Sequence, residues 1–401
     1  MRLPVLFILI TVMIDAMGIG LIIPVMPDLI RDVTGGDLAN AALWGGVLAT
    51  VFAVMQFLFG PVIGNLSDRF GRRPVLLISL VVMAADYVVM AVAGSIWLLL
   101  IGRVIGGITA ATQSTASAYM ADISEPGKKA QNFGLVGAAF GLGFVIGPLM
   151  GGLLGEWGTR APFWAAAFLA GANAILGWFV LRETVTDAIR RPFDWRRANP
   201  LGAFRSLGAL PGLGRLLVVF FLYQVAFFVY PAVWAYFGQA RFGWNAGMIG
   251  LSLGLFGIMM AVVQGGLIRL ILARLGERGT VIYGLVFDVF AFGALAFVTS
   301  GTVALVLTPL AALGAVITPA LQGIMSKAVG DSRQGELQGA LTSVSAIAMI
   351  LAPMMMTSVF AQFTRPDAPV FLPGAPFLLS LGLIVIALIV FLTPKRGAVA
   401  A

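Results

Sequence analysis

Twelve long apolar runs, separated by short polar breaks, fill the chain from end to end: residues 4–27, 42–64, 75–94, 96–120, 132–155, 162–181, 214–238, 246–272, 280–299, 302–326, 336–361 and 373–393. A helix needs about 20 apolar residues to cross the hydrocarbon of a bilayer, and each run is close to that length. The pattern predicts twelve membrane-spanning helices, here called spans one to twelve, with no soluble domain left over. The first run has Arg2 and an apolar stretch in the manner of a secretory signal. It lacks a small-residue cleavage site and carries Asp15 and Pro24 inside it, so it reads as a retained span.

Composition agrees. Hydrophobic residues make up 60% of the 401 and charged residues 10%, with a mean hydropathy of +1.01. A soluble protein of this size could not hide so much apolar surface in its core, whereas a lipid-facing one need not. There is no cysteine and no histidine. Disulfide and thiolate chemistry are excluded, and the usual catalytic base, metal ligand and neutral-pH proton carrier is missing. With no pair of carboxylates at metal-binding spacing and no GxxxxGK[ST] string, a membrane-embedded enzyme or an ATP-driven pump finds no support.

The net charge of +8 is a matter of membrane orientation, not of nucleic acid. With Met1 placed in the cytoplasm, 20 of the 25 Lys and Arg fall in cytoplasmic segments and four (Arg31, Arg160, Arg241 and Arg365) in external ones, Arg103 lying within the membrane. The positive-inside rule then puts both termini in the cytoplasm, which requires an even number of spans.

Four ionisable residues sit alone in apolar runs: Asp15, Asp86, Arg103 and Asp288. Such charges cost roughly 2.5–3.5 kcal/mol each on insertion scales and mark a pathway by default. Burial disfavours a charged carboxylate and an approaching cation favours it, so a buried acid holds a proton or a cationic substrate but not both. That exclusion is the elementary step of antiport. Structural roles compete: Asp15 satisfying helix ends near GIGLIIP, Asp86 at a helix interface, and Arg103 reaching headgroups instead of a cavity. Gln56, Gln113, Gln224, Gln264 and Gln322 add hydrogen-bonding capacity within spans, as interhelical glue or, with Phe and Met side chains, as the lining of an adaptable pocket.

The longest polar stretch, Arg182 to Arg215, holds seven arginines and three prolines and reads as a linker lying on anionic headgroups. It divides the chain into an N-terminal six-helix bundle (1–182), a cytoplasmic linker (183–213) and a C-terminal six-helix bundle (214–401). The halves match at one offset: RFGRR at 69–73 meets RLGER at 274–278, and the same shift of 205 places Gly134 on Gly339 and Pro148 on Pro353. Repeated six-span halves with a cavity between them are an architecture of secondary transporters.

Residues 64–74, GNLSDRFGRRP, read as a short charged turn between spans two and three. Gly64 and Gly71 permit a tight reversal, Asp68 is placed to face a helix N-terminus, and Arg69, Arg72 and Arg73 anchor the turn. The fifth span, GLVGAAFGLGFVIGPLMGG at 134–152, spaces Gly143, Gly147, Gly151 and Gly152 so that its backbone can press against a neighbour, with Pro148 supplying a bend.

These strings carry a resemblance over the whole chain. VMIDAMGIGLIIPVMP at 12–27, GNLSDRFGRRP, LIGRVIGGITAATQSTASAYMAD at 100–122, the fifth-span GxxxGPxxGG, RFGW at 241–244 and the segment around Pro319, Leu321, Gln322 and Gly323 resemble the drug–proton antiporters of the major facilitator superfamily, in particular the tetracycline-efflux branch. The resemblance implies an all-α integral membrane protein with twelve transmembrane helices as two six-helix bundles, the major facilitator fold. It implies a secondary active exporter of an amphipathic, drug-like compound, tetracycline-like or multidrug, working by alternating access in exchange for protons. Asp15, Asp86 and Asp288 would carry proton coupling with Arg103 tuning an acid. Asp15, Gln56, Asp86, Gln113, Gln224, Met260, Gln264 and Gln322 would meet substrate, and the fifth span would seal and hinge the halves.

The pattern departs from that branch at Met260, which aligns where tetracycline exporters carry a histidine linked to coupling. Either carboxylates alone couple, or the substrate is not tetracycline. Ala273 stands where the repeat of Asp68 would fall. Export of an endogenous metabolite or lipid, or proton symport on the same fold, stays open. No cofactor is expected, although substrate could travel as a divalent-metal chelate. The expected partners are a small molecule, protons and the lipid of a cell inner membrane, with the protein a monomer.

Overall fold

A computed structural model describes residues 3–110, 112–187, 190–195, 198–200, 210, 212–330 and 333–393. The linker residues Arg196, Arg197, Arg205 and Pro211, and the terminal cations Arg2, Lys395 and Arg396, lie outside the described residues. The described residues are helical or irregular and contain no strand.

Span one is α1 (Leu3–Ile22), a 3-10 turn at Ile23–Val25 and α2 (Met26–Thr34), and span two is α3 (Leu38–Phe70). Span three is α4 (Arg72–Val92), and span four is α5 (Ile96–Thr109) followed by α6 (Thr112–Ile123). Spans five and six are α7 (Lys129–Gly155) and α8 (Ala161–Val180), and span seven is α9 (Gly214–Phe227) with α10 (Val229–Phe242). Span eight starts with α11 (Ala246–Val262), continues through a π-helical turn at Val263–Leu267 and enters α12 (Ile268–Phe297), which reverses at Gly276 to become span nine. Span ten is α13 (Gly301–Ala311), a 3-10 turn at Ala312–Val316 and α14 (Ile317–Val329). Spans eleven and twelve are α15 (Gln334–Gln362) and α16 (Ala375–Leu392). Among the described residues eleven continuous apolar stretches are long enough to cross a membrane, and one of them, Ala246–Phe297, holds two spans, which gives twelve. Trp97, Phe168, Phe179 and Phe290 stand outward on the shell, where lipid takes the place of a core.

The repeat is written into the element boundaries. Spans three, four, five and eleven start at Arg72, Ile96, Lys129 and Gln334, and adding 205 to the first three gives Glu277, Gly301 and Gln334. The turns before spans three and nine each rest on a glycine of positive φ, Gly71 (φ 112°, ψ 152°) and Gly276 (φ 64°, ψ 176°). An L side chain rarely adopts that conformation, so each turn needs a residue without Cβ. Ser95 and Ser300, again 205 apart, cap spans four and ten by accepting from Leu98 N and Val303 N at 3.4 Å. The expected charged turn at 64–74 is narrower than its composition suggested. Helix α3 continues through Phe70 and α4 starts at Arg72, so Gly71 alone makes the reversal. Charged residues there belong to helix ends that run past the hydrocarbon into water.

Twelve spans return the chain to the face it left, here the terminal face. The halves meet along span five against span eight and span two against span eleven. Contacts across the seam lie between the far face and mid-membrane. Gln239 donates to Asp28 (3.0 Å), Gly247 N donates to Glu156 Oε1 (2.8 Å), and Thr50 donates to the Ile350 carbonyl (3.2 Å). Gly152 faces Ala246 and Gly250, and Gly257 faces Val145. Along the same face of α7 toward the terminal side, Gly141 and Gly134 meet nothing within 4 Å. Among the described residues the halves are therefore joined from the far face to mid-membrane and stand apart along α7 at the terminal face.

Candidate functional site: buried acids of the two halves

Asp86 and Arg103 come level because they sit at similar distances on either side of the tight turn Ala93–Ser95 that joins spans three and four. They form an ion pair between Asp86 Oδ2 and an Arg103 terminal nitrogen, with side chains only 5% and 10% exposed. The same nitrogen contacts the Met90 sulfur at 2.7 Å, and the guanidinium lies 5.2 Å from the Phe52 ring of span two. Asp86 Oδ1 and Arg103 Nε have no hydrogen-bond partner. Arg103 is thus turned into the N-terminal bundle and does not reach the headgroups. The Asp86 carboxylate fits because Gly102 and Gly106 of α5 present bare backbone to it.

Asp288 is 4% exposed and has no ion pair among the described residues; its Oδ2 has no hydrogen-bond partner. Tyr223 and Tyr230 of span seven and Tyr283 of its own span are within electrostatic reach. Around them runs a chain of rings: Tyr230 lies 4.8 Å from Phe256 and 5.8 Å from Phe292, and Tyr223 lies 5.7 Å from Phe227. The other oxygen of Asp288 rests on Gly314 in the 3-10 turn of span ten.

Asp15 is half-buried in the unbroken part of α1, and no hydrogen bond or ion pair reaches it among the described residues. It satisfies no helix end, since the 3-10 break is at Ile23–Val25. Tyr87 lies within electrostatic reach of Asp15, Asp86 and Arg103 and so stands among all three. Among the described residues no hydrogen bond joins one neutral candidate to another. Gln56 donates to the Ala110 carbonyl at the break of span four (3.3 Å), and Gln224 donates to Ser345 of span eleven (3.4 Å). Met260 and Gln322 are half-buried, Gln113 is exposed, and Gln264 is exposed in the π-helical turn of span eight. Such turns frequently mark functional sites. No group of three or more acids among the described residues could hold a metal ion.

At the terminal face, Arg72 bridges Asp68 (2.5 Å), Ser67 Oγ (2.6 Å) and Asp122 (3.4 Å). Arg73 donates to the Trp178 carbonyl and lies 5.0 Å from its ring, while Arg69 stays exposed beside Phe70. Asp68 does not cap the next helix. Glu183, just past span six, does so: its carboxylate accepts from Arg72 N (2.9 Å), Arg73 N (3.3 Å), Thr184 N and Val185 N (2.9 Å each). Gly64 faces open space. In span five, Gly143, Gly147 and Gly151 press on the span-one backbone at Met13, Met17 and Leu21, while Gly152 faces span eight across the seam and Pro148 lies inside the helix against Gly20.

This geometry has counterparts among known proteins. Residues 8–353 match the family model described as Major Facilitator Superfamily. The chain belongs to the major facilitator superfamily. It is 44% identical over 351 residues to the tetracycline resistance protein, class C, of Escherichia coli, covering 88% of each chain. It is 40% identical to the class G protein of Vibrio anguillarum, covering 90% of this chain and 91% of that one. Among solved structures, the nucleoside transporter NupG superposes with a TM-score of 0.77 at 14% identity, covering 98% of both chains, and so shares the fold.

Reading the sequence of this superfamily member missed Glu183, Asp122, Glu156 and the tyrosines around Asp288. It also missed that the Arg72–Asp122 pair recurs at the repeat offset with charges exchanged, as Glu277–Lys327 (2.8 Å). The offset of 205 applied to every charged residue would have found that pair.

Proposed function

We propose that the protein exports an amphipathic, drug-like compound, tetracycline-like or multidrug, across a bacterial inner membrane in exchange for protons. Its two bundles, 1–182 and 214–401 joined by 183–213, rock about the seam of spans two, five, eight and eleven. The reading takes both termini as cytoplasmic, as the asymmetry of Lys and Arg requires. The parted face is then the cytoplasmic one, and the described state receives substrate from inside the cell.

One observation carries the coupling: Asp288 is buried with an unpartnered oxygen and no cation among the described residues to neutralise it. An acid in that position exchanges its proton against an arriving cation or a new hydrogen-bond donor. Asp15, half-buried and equally unpaired, is the matching seat in the N-terminal half, and Asp86 with Arg103 sets the field between them. Inward proton movement supplies about 2.3 kcal/mol for each ~100 mV of membrane potential, and the pH gradient adds to it. The half-buried and exposed side chains Gln56, Gln113, Gln224, Met260, Gln264 and Gln322 supply an adaptable surface for substrate, which travels free or as a divalent-metal chelate. The protein works as a monomer. The relatives' names favour tetracycline, whereas Met260 in place of the branch histidine favours a different cargo.

In inverted membrane vesicles, an imposed pH gradient should drive tetracycline or dye uptake, and Asp288→Asn should abolish it while leaving exchange without a gradient measurable. Gradient-driven uptake by Asp288→Asn at the wild-type rate would remove the acid from the mechanism.

A further inference from the structure

Span ten is α-helical except at Ala312–Val316, and Gly314 stands at the centre of that 3-10 turn. The Asp288 carboxyl lies directly on it. A Cβ built at Gly314 would come within 2.6 Å of Asp288 Cγ and 3.1 Å of Oδ2, and nearer still to Oδ1. What occupies the space is therefore a short, buried carboxyl, with Leu285 and Phe292 of the same span buried one turn to either side of it.

A charged carboxylate only accepts hydrogen bonds, whereas the neutral acid also donates one. Beside an ordinary side chain, that change of demand is absorbed by a rotamer. Beside bare backbone it falls on the chain itself, and here the backbone is a 3-10 segment, whose hydrogen bonds have poorer geometry than those of an α-helix. The titratable groups facing Asp288 are Tyr223 and Tyr230 from span seven and Tyr283 from its own span. Span ten offers Thr318, which is bonded to Tyr223, and no charged side chain among the described residues meets the acid.

We propose that Gly314 is a positioning residue for the coupling acid. Its bare backbone seats the Asp288 carboxyl on the break of span ten, so that gain or loss of the proton is transmitted as a change in that break. The inference rests on Asp288 being the coupling acid, and its test separates the two claims.

The chain has no native cysteine, so Gly141→Cys on α7, placed where the terminal face parts, reports opening by its rate of maleimide labelling in membranes without any substrate, divided by the rate of a free thiol in the same buffer because thiolate content itself rises with pH. In the otherwise wild-type protein this normalised rate should change roughly tenfold between acidic and alkaline buffer, a shift of ordinary allosteric size. Asp288→Asn should flatten that response. Gly314→Ala should flatten it as well, and adding Gly314→Ala to Asp288→Asn should change nothing further. Gly382→Ala, whose methyl meets nothing within 4 Å, should respond as wild type does. If Gly314→Ala does not elute as a folded monodisperse protein, Asp288→Glu tests the same seat by lengthening the acid, with the same flattening expected. A flat wild-type response, or a wild-type response in Asp288→Asn, overturns the coupling role and the seat together. A flat Asp288→Asn beside a fully responsive Gly314→Ala or Asp288→Glu overturns the seat alone.

Discussion

The two bundles solve the same problem in opposite ways. Each buries an acid against the bare backbone of the following span, Asp86 on α5 and Asp288 on span ten. In the N-terminal bundle the acid is answered by Arg103, by a methionine sulfur and by the face of Phe52. In the C-terminal bundle it is answered by nothing charged among the described residues, only tyrosines and a glycine. The positions that repeat Asp86 and Arg103 at the offset of 205 are Ala291 and Thr308, so the second half has lost the pair and gained a lone acid one turn away. The difference separates a fixed electrostatic element from a changeable one. A buried pair is expensive to open and holds two spans in register, whereas a lone buried carboxyl changes protonation whenever its surroundings change.

The largest test follows from that contrast. Arg103→Ala strands Asp86 as an unpaired buried charge and should cost about 3–5 kcal/mol of stability. Asp288→Asn replaces an acid that has an unpartnered oxygen and should leave the unfolding temperature unchanged or raised. Replacing both members together, Asp86→Leu with Arg103→Met, should recover most of the stability lost in Arg103→Ala, because no charge is then left behind. Thermal unfolding of purified protein in detergent, followed by tryptophan fluorescence, measures all three. Equal losses in Arg103→Ala and Asp288→Asn would break the comparison.

How far the sequence foretold this arrangement depends on what each part rests on. The spans were legible because the bilayer makes a single demand, a long apolar run, and local composition meets it. The repeat was legible at RFGRR and RLGER because glycine at positive φ cannot be substituted cheaply. The partner of Arg103 was not read, although the signal was present: Asp86 lies eight residues before Gly94 and Arg103 nine after, which brings them level in a helical hairpin. Three features had no local signature. The cap by Glu183 joins residues more than a hundred positions apart, the seat of Asp288 depends on a 3-10 turn within an apolar run, and the far-face contacts of Asp28 and Glu156 join residues from different halves of the chain. The charged stretch 64–74 misled for a physical reason, since helix ends that leave the membrane carry the same residues as loops.

The turn between spans two and three gives a smaller test of the same asymmetry. Glu183 accepts four backbone N–H groups there, two of them from the first turn of span three. The residue 205 positions later is Leu388, so the cap is not repeated at that offset. Glu183→Ala should cost about 1 kcal/mol, the ordinary value of a cap. The loss should appear as faster hydrogen exchange at the start of α4 with none at the matching turn beside Gly276. Equal exchange at both turns would mean that Arg72 and its ion pairs hold the first turn without the cap.

The smallest effect concerns the exchanged pairs. Arg72–Asp122 and Glu277–Lys327 occupy equivalent positions with opposite polarity, which places cation and anion differently on the two sides of the parted face. Lys327 is 75% exposed, so solvent screens its pair and only ~0.2–1 kcal/mol is at stake in stability. If the pair serves only to hold span nine to span ten, its polarity is immaterial. Glu277→Lys with Lys327→Glu should then preserve both stability and export, while either single change places like charges together and costs a few tenths of a kcal/mol. If the polarity itself matters, because the terminal face closes by bringing the two turns near each other, the double exchange should keep its stability and still lose transport. Measuring stability and export on the same double variant separates a local brace from a device that distinguishes the halves.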